Sequence, residues 1–270
     1  MAAIGLIAGT GELPVLVADE IKAAGHGLVL VALESLTGGA LAGKAETVQW
    51  FNVGKVGAIV KYLKGEGVTG VVMAGKIPKT LLYRGGVKPD LKGVGILLRL
   101  KDRRDDTIIN AVAREFEKEG ITFLGLQDFL GGLLTPGGKL TRVGPSREQK
   151  KDIAFGFRMA KGIGELDIGQ TVVVKDRAVM AVEAIEGTDE AIIRGGGLAG
   201  GGAVVVKVSR PRQDLRFDIP VVGMETLEAM ASVEAAVLAL EAGRSIIMQK
   251  ERFLERAAGA GIIVAGVKED

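Results

Sequence analysis

The sequence predicts an α/β protein: a Rossmann-like N-terminal domain with a mostly parallel sheet, then a second, mixed α/β domain. Three observations predict it. Short apolar runs of strand length alternate with helix-period segments through the first 130 residues, the pattern of a parallel sheet covered on both faces. A Gly- and Pro-rich stretch, GGLLTPGGKLTRVGPS at Gly131–Ser146, then breaks the alternation. Beyond it come hairpin and glycine-rich signals. The expected boundaries are residues 1–131 for a nucleotide- or phosphate-facing Rossmann-like domain, 132–146 for a linker and 147–270 for the second domain. A chain of 270 residues, 47% hydrophobic and 25% charged, is globular and long enough to bury its cores without staples.

The elements follow in order. Ala3–Ala8 is a buried strand. GTGELP follows at Gly9–Pro14, and Val15, Leu16, Ala18 and Ile21 continue with helical spacing. Pro14 suits a first helical turn, where its missing N–H removes no bond. Leu28–Leu33 is a second strand, ending at Glu34. This order resembles a dinucleotide-binding unit, but Pro14 stands where the third glycine of that fingerprint belongs. The loop Gly9, Thr10, Gly11 is therefore read as phosphate- or nucleotide-facing, or else as a plain tight turn. Val48–Val53 reads as a strand, Val56–Leu63 as a helix and Val68–Ala74 as a strand. The last ends in Gly75-Lys76, at the sheet end where such folds bind ligands. In KDRRDD, Lys101–Asp106, the acids Asp105 and Asp106 suit the start of a helix over Thr107–Glu119. Ile121–Leu126 closes the half as a strand.

In the second half Ser146 is an N-cap for a helix to about Lys161, with Ile153, Phe157 and Ala160 on one face. Val172–Val174 and Ala178–Glu183 read as a hairpin about Lys175-Asp176-Arg177. Thr188 or Asp189 caps a short helix over Ala191–Arg194, and Gly195–Gly202 reads as a linker or a loop hugging a phosphate or sugar. Ala203–Val208 is a strand and Met224–Ser232 a helix. Ala235–Leu240, Ile246–Gln249 and Ile262–Val267 are strands, with Lys250–Ala258 helical between the last two.

Composition excludes several chemistries. Cysteine is absent, so disulfides and thiolate metal sites are out. A single histidine, His26, argues against zinc centres and His-based triads. Acid–base and metal work falls mainly to Asp, Glu, Lys and Arg. A net charge of +2 and 4% aromatics predict no nucleic-acid partner. MAAIGLIAGTGELP reads as a strand and loop, not a signal peptide, and no apolar run reaches the ~20 residues of a membrane span. A soluble, cytoplasmic protein is expected.

The densest chemistry lies in VKVSRPRQDLRFDIPVVG, Val206–Gly223, where Arg210, Arg212, Arg216, Gln213, Asp214 and Asp218 follow an apolar strand. Guanidinium groups beside carboxylates suit a phosphate ester with a divalent metal, though the arginines also suit plain pairing with the acids. If the segment is extended, Asp214 and Asp218 share a face.

GLIAGTGELP, the block from DIGQTVVV through AVMAVEAIEGTDEAIIR, and GGAVVVKVSRPRQDLRFDIPVVG together resemble the LpxI type of UDP-2,3-diacylglucosamine pyrophosphatase over essentially the whole chain. The resemblance implies that the second domain is catalytic. It implies hydrolysis of UDP-2,3-diacylglucosamine to UMP and 2,3-diacylglucosamine 1-phosphate (lipid X) in lipid A biosynthesis. It also implies Mg²⁺ and a homodimer. The segment RFDIPVVG carries the family's essential Asp, here Asp218, as metal ligand or as base. Gly9, Thr10, Gly11, Gly75, Lys76, Gln170, Thr188, Lys207 and Gln213 are expected at the substrate, and Asp214, Glu183 and Asp189 join Asp218 as expected metal ligands. A lipid substrate implies transient, peripheral contact with a membrane surface, the inner membrane. Two rivals remain: a nucleotide-sugar or lipid carrier without turnover, and a NAD-dependent oxidoreductase built on GTGELP.

Overall fold

The computed structural model describes residues 2–78, 81, 86–101 and 105–268. Asp102, Arg103 and Arg104 of the KDRRDD stretch, and the side chains of Asp105 and Asp106, lie outside the described residues. The chain divides into two compact units. The first is Met1–Gly131 with Asp214–Asp218; the second is Gly132–Gln213 with Ile219–Asp270.

The first unit holds a five-stranded parallel sheet: β1 (Ala3–Ala8), β2 (Gly27–Leu33), β3 (Thr47–Phe51), β4 (Gly70–Ala74) and β5 (Thr122–Phe123), in the order β3-β2-β1-β4-β5. The order reverses between β1 and β4, the crevice at which open α/β sheets take ligands. β1 and β2 are buried almost throughout, as continuous apolar runs in a covered parallel sheet must be. β5 is shorter than its apolar run because Asp128 accepts the Gly125 N–H (2.8 Å) and starts the helix Leu126–Leu130. A helix over Leu91–Arg99 had no clear signal, since Gly93 and Gly95 interrupt its pattern. Asp90 caps it by accepting from Gly93 N at 2.9 Å, and also accepts from Ala58 N at 3.0 Å.

The second unit holds a six-stranded mixed sheet: β6 (Gly138–Lys139), β7 (Thr171–Lys175), β8 (Ala178–Val182), β9 (Val204–Lys207), β11 (Val237–Glu241) and β13 (Ile263–Val267), in the order β6-β13-β11-β9-β7-β8. A small parallel pair joins β10 (Val221–Val222) to β12 (Ile246–Ile247). β9, β11 and β13 run parallel; β7 is antiparallel to β9, and β6 to β13. The stretch 132–146 is bonded into this unit through β6 and through Thr135, whose Oγ1 accepts from Ser245 at 2.9 Å. On one face the helix Arg147–Glu165 packs Ile153, Phe157 and Ala160 against Val172, Val174, Val204 and Val206. The helices Thr188–Ala199, Met224–Ser232 and Lys250–Gly259 meet the alternate residues Val173, Val205, Leu238 and Val264 on the other. Phe157 and Met230 are core side chains here.

Two local devices are visible. Ser146 and Gln149 form a reciprocal capping box at the start of the Arg147–Glu165 helix. The hairpin turn holds Asp176 and Arg177 at φ 52° and 59°, in the left-handed region, and the nearly buried Asp152 accepts both of their N–H groups.

The glycine-rich expectation is corrected. The helix runs Thr188–Ala199, straight through Gly195, Gly196 and Gly197, so no phosphate-hugging loop begins at Gly195. A Cβ on Gly195 would meet Val173 at 2.6 Å and one on Gly196 would meet Val233 at 2.2 Å, whereas one on Gly197 meets nothing within 4 Å. The first two glycines let the helix touch its neighbours. Gly196→Ala is therefore expected to destabilise the protein by about 1–3 kcal/mol through overpacking. Gly197→Ala should stabilise it by up to ~1 kcal/mol through helix propensity. Urea midpoints of the two variants check the contrast.

Candidate functional site

The Gly9–Gly11 loop leaves β1 and the Gly75-Lys76 turn leaves β4, so both reach the point where the strand order reverses. They bond to each other. Gly9 N donates to Ala74 O (2.8 Å), Thr10 N to Lys76 O (3.0 Å) and Lys76 N to Thr10 O (3.1 Å). Thr10 Oγ1 also donates to Lys76 O (3.1 Å). A Cβ on Gly9 would lie 2.7 Å from Lys76 O, while Gly11 at φ +97° faces open space. Gly9 is thus explained by a close approach of two loops, and Gly11 by its backbone angle. The N–H groups of Gly9 and Thr10 are engaged in that contact rather than presented as a phosphate cradle.

The segment Asp214–Asp218 belongs to the same unit. It is a turn, not an extended strand: Phe217 N (3.0 Å) and Asp218 N (3.3 Å) both donate to Asp214 O. Asp214 accepts from Arg216 three times through the side chain, Nε at 3.1 Å to each oxygen and Nη2 at 2.7 Å, and once from Arg216 N at 3.0 Å. The Arg216 hydrogen bond holds the Asp214 carboxyl below its usual range, against the opposing effect of burial. Phe217 is 7% exposed and packs edge-on against Phe123 with ring centres 5.1 Å apart. Ile219 is buried as well, so the exposed Asp218 stands between two apolar anchors. The plain-pairing reading of the arginines holds for Arg216 with Asp214; Arg210 pairs instead with Asp167, Nη1 to Oδ1 at 2.7 Å.

In the second unit, polar side chains converge at the carboxyl ends of β9 and β11. Lys207, 5% exposed, closes β9. Its Nζ donates to Thr188 Oγ1 (2.9 Å), and Thr188 Oγ1 donates to Glu183 Oε1 (2.8 Å). Glu183 Oε2 accepts from Gln170 N (3.2 Å). A buried charge persists only when hydrogen-bonded in this way. Gln170 Oε1 and Thr171 Oγ1 are buried without partners, and Thr171 is the register partner of Lys207. Two buried oxygens without partners at this sheet end mark a place where a ligand can complete the bonding. Thr188 and Asp189 do not cap their helix, whose cap is Gly187 at φ +91°. Thr188 serves the Glu183–Lys207 link, and Asp189 accepts from Thr226 Oγ1 at 2.8 Å. Gln213 closes a turn, its Oε1 accepting from Arg210 N at 2.9 Å.

Of the expected metal ligands, Glu183 and Asp189 thus sit in the second unit with these partners, and Asp214 and Asp218 on the turn of the first. No group of three or more His, Asp or Glu side chains able to hold a metal occurs among the described residues. No helix among them is long and apolar enough to cross a membrane. Sequence reasoning missed Lys161, Ser209, Glu241 and Arg244, which form a second polar knot at the same sheet end. In the sequence Lys161 stands at the end of an expected helix, and Glu241 and Arg244 fall between two expected strands. Only the register of β11 on β9 unites them.

Residues 3–133 match the LpxI N-terminal domain family and residues 136–265 the LpxI C-terminal domain family. A protein of Caulobacter vibrioides (strain ATCC 19089 / CIP 103742 / CB 15) named UDP-2,3-diacylglucosamine pyrophosphatase LpxI is 34% identical over 279 residues, covering 99% of this chain and 98% of its own. Solved structures overlap only in part. A biotin carboxylase domain of a thermophilic 2-oxoglutarate carboxylase gives a TM-score of 0.30 at 17% identity, over 64% of this chain and 35% of that one. Leucoanthocyanidin reductase from Vitis vinifera gives 0.27 at 20% identity, over 44% of each chain. Overlaps of this size carry no argument about chemistry.

The Asp214–Arg216 pair sets a pH expectation. The folded pKa of Asp214 lies below its ordinary value of 3.8, so the pair's contribution is fully present above that value and is lost as pH falls through the lower folded pKa. Arg216→Gln should flatten this part of the acid limb, by well under about 1 kcal/mol because both side chains are a third exposed. Urea midpoints between pH 5 and pH 2.5 read it directly.

Proposed function

The chain belongs to the LpxI family, and on that premise we propose that it hydrolyses UDP-2,3-diacylglucosamine to UMP and 2,3-diacylglucosamine 1-phosphate, as a step of lipid A biosynthesis. The observation that carries the reading is the Asp218 turn. An exposed carboxylate, fixed between buried Phe217 and Ile219, ends the stretch that begins at buried Lys207.

A pyrophosphate diester is anionic and repels hydroxide, so cleavage needs charge neutralisation and a positioned water. A magnesium ion fits the donor set as substrate-assisted binding, since Mg²⁺ is commonly held by one or two carboxylates with phosphate oxygens and water completing its shell. Asp218 is the residue that would hold it, and Asp214 would join only by opening its pair with Arg216. When bound, the ion supplies Lewis-acid polarisation of the phosphoryl oxygens.

The chain's own residues do the rest. Asp218 orients water toward the sugar-side phosphorus and draws its proton. The bond from that phosphorus to the bridging oxygen breaks, and UMP leaves with the bridging oxygen. Lys207 supplies positive charge, with Thr188 and Glu183 fixing its ammonium. Gln170 and Thr171 offer unpartnered oxygens to substrate hydroxyls. The Gly9–Gly11 and Gly75-Lys76 loops face the nucleotide through Lys76 and the open side of Gly11. Homodimer formation, a cytoplasmic location and transient contact with a membrane surface extend the reading, the last because the substrate is a lipid.

Incubation with UDP-2,3-diacylglucosamine in ¹⁸O-water, with and without Mg²⁺, tests it. UMP release that stops on chelation and resumes with Mg²⁺, with label in the lipid phosphate, is the expected result. Label in UMP overturns the site of attack, and binding without UMP release makes the protein a carrier. Asp218→Ala should lower kcat by about 10²–10⁴-fold. Its Tm should hold, because the side chain is exposed. Near-normal turnover in that variant removes Asp218 from the chemistry.

A further inference from the structure

Glu241 closes β11 and is 5% exposed. Its carboxylate accepts from Lys161 Nζ (2.7 Å), Ser209 N (2.7 Å) and Ser209 Oγ (2.8 Å). Lys161 Nζ also donates to Ser209 O at 3.1 Å. Arg244, three residues beyond Glu241, donates from Nε to Ser209 Oγ at 2.8 Å, and that Nε lies 3.8 Å from Glu241 Oε1. Ser209 is fully buried and Lys161 mostly so, but the Arg244 side chain is 41% exposed.

The charges in this knot do not cancel. Lys161 and Arg244 carry two positive charges and Glu241 one negative, which leaves one positive charge over. The carboxylate already satisfies Lys161 and Ser209, so the surplus belongs to Arg244, the exposed member. Its guanidinium is not free to swing, because Nε is fixed by Ser209 Oγ. A forked donor held by one nitrogen presents its outer edge in a set direction, and that edge matches a phosphate oxygen pair. Arg244 stands two residues before Ile246 of β12, whose register partner is Val221 of β10. We propose that Arg244 is a phosphate-contacting residue, taking a pyrophosphate or phosphomonoester oxygen, with Ser209 and Glu241 as the residues that position it. The proposal rests on the hydrolase reading for its natural ligand, but not for its measurement.

Binding of inorganic pyrophosphate and of UMP, followed by calorimetry on the full chain, separates the two. Arg244→Gln should weaken pyrophosphate binding by about tenfold to a hundredfold, the size of a lost hydrogen bond to a charged group, and lower kcat/KM by a similar factor. Arg244→Lys, which keeps charge but loses the fork, should fall between. Ser209→Ala should shift KM in the same direction with a smaller factor. The Tm of Arg244→Gln should stay near wild type, because Ser209 and Lys161 still satisfy Glu241. Pyrophosphate affinity and kcat/KM both unchanged in Arg244→Gln, or no pyrophosphate binding by the wild-type chain, would overturn the assignment. So would a lowered Tm with unaltered affinity. Wild-type protein that binds pyrophosphate through Arg244 yet never releases UMP sinks the hydrolase reading and leaves this site standing.

Discussion

The ring of Phe217 packs against Phe123, which packs in turn on Phe116 with ring centres 5.0 Å apart, and Arg216 lies over the outer face of Phe217 at 5.0 Å. This aromatic stack fixes five residues of the second half within the first unit. The consequence falls on the next residue. A buried ring and a buried Ile219 on either side leave the Asp218 backbone little freedom, while the carboxylate itself stays in water. Burial of an aromatic side chain is worth roughly 1.5–3 kcal/mol, more than the entropy of ordering one short turn residue. The anchor is therefore apolar, and the group it positions is the exposed carboxylate of the turn, while Asp214 is paired with Arg216.

The second unit handles charge differently. Lys207 and Glu241 are both nearly buried at the ends of adjacent strands, where an unpaired charge costs several kcal/mol. Each is met by partners from two other segments of the chain. Lys207 reaches Thr188 and, through it, Glu183; Glu241 gathers Lys161 and both donors of Ser209. Such knots add little to stability compared with apolar residues of the same volume, and their known use is to fix geometry. Here they fix the chain at Ser209, where it leaves β9 for the Arg210–Asp218 stretch. The oxygens left over, on Gln170 and Thr171, lie at the same sheet end.

The glycine-rich stretches show how one residue type answers different demands. In GTGELP, Gly9 is required by a carbonyl 2.7 Å from its missing Cβ, and Gly11 by a positive φ. In RGGGLAGGG the same residue runs inside a helix at Gly195–Gly197 and turns left-handed at Gly200, Gly201 and Gly202. Composition cannot tell these apart, because each depends on what approaches from elsewhere in the chain.

The sequence alone determined the alternation of β and α, nearly every strand in its place, the Ser146 N-cap, the hairpin at Asp176-Arg177 and the segment that bears Asp218. Those features are local: period, capping residues and turn chemistry act within a few neighbours, and a motif is a contiguous string. Tertiary structure decided that Gly195–Gly197 continue a helix, that Thr188 bridges Lys207 and Glu183 instead of capping, and that Asp214 is occupied by Arg216 on a turn. It also decided that Lys161, Ser209, Glu241 and Arg244, spread over 84 positions of sequence, meet at one sheet end. Strand register and side-chain burial bring such residues together, and both are set by packing between segments distant in the chain.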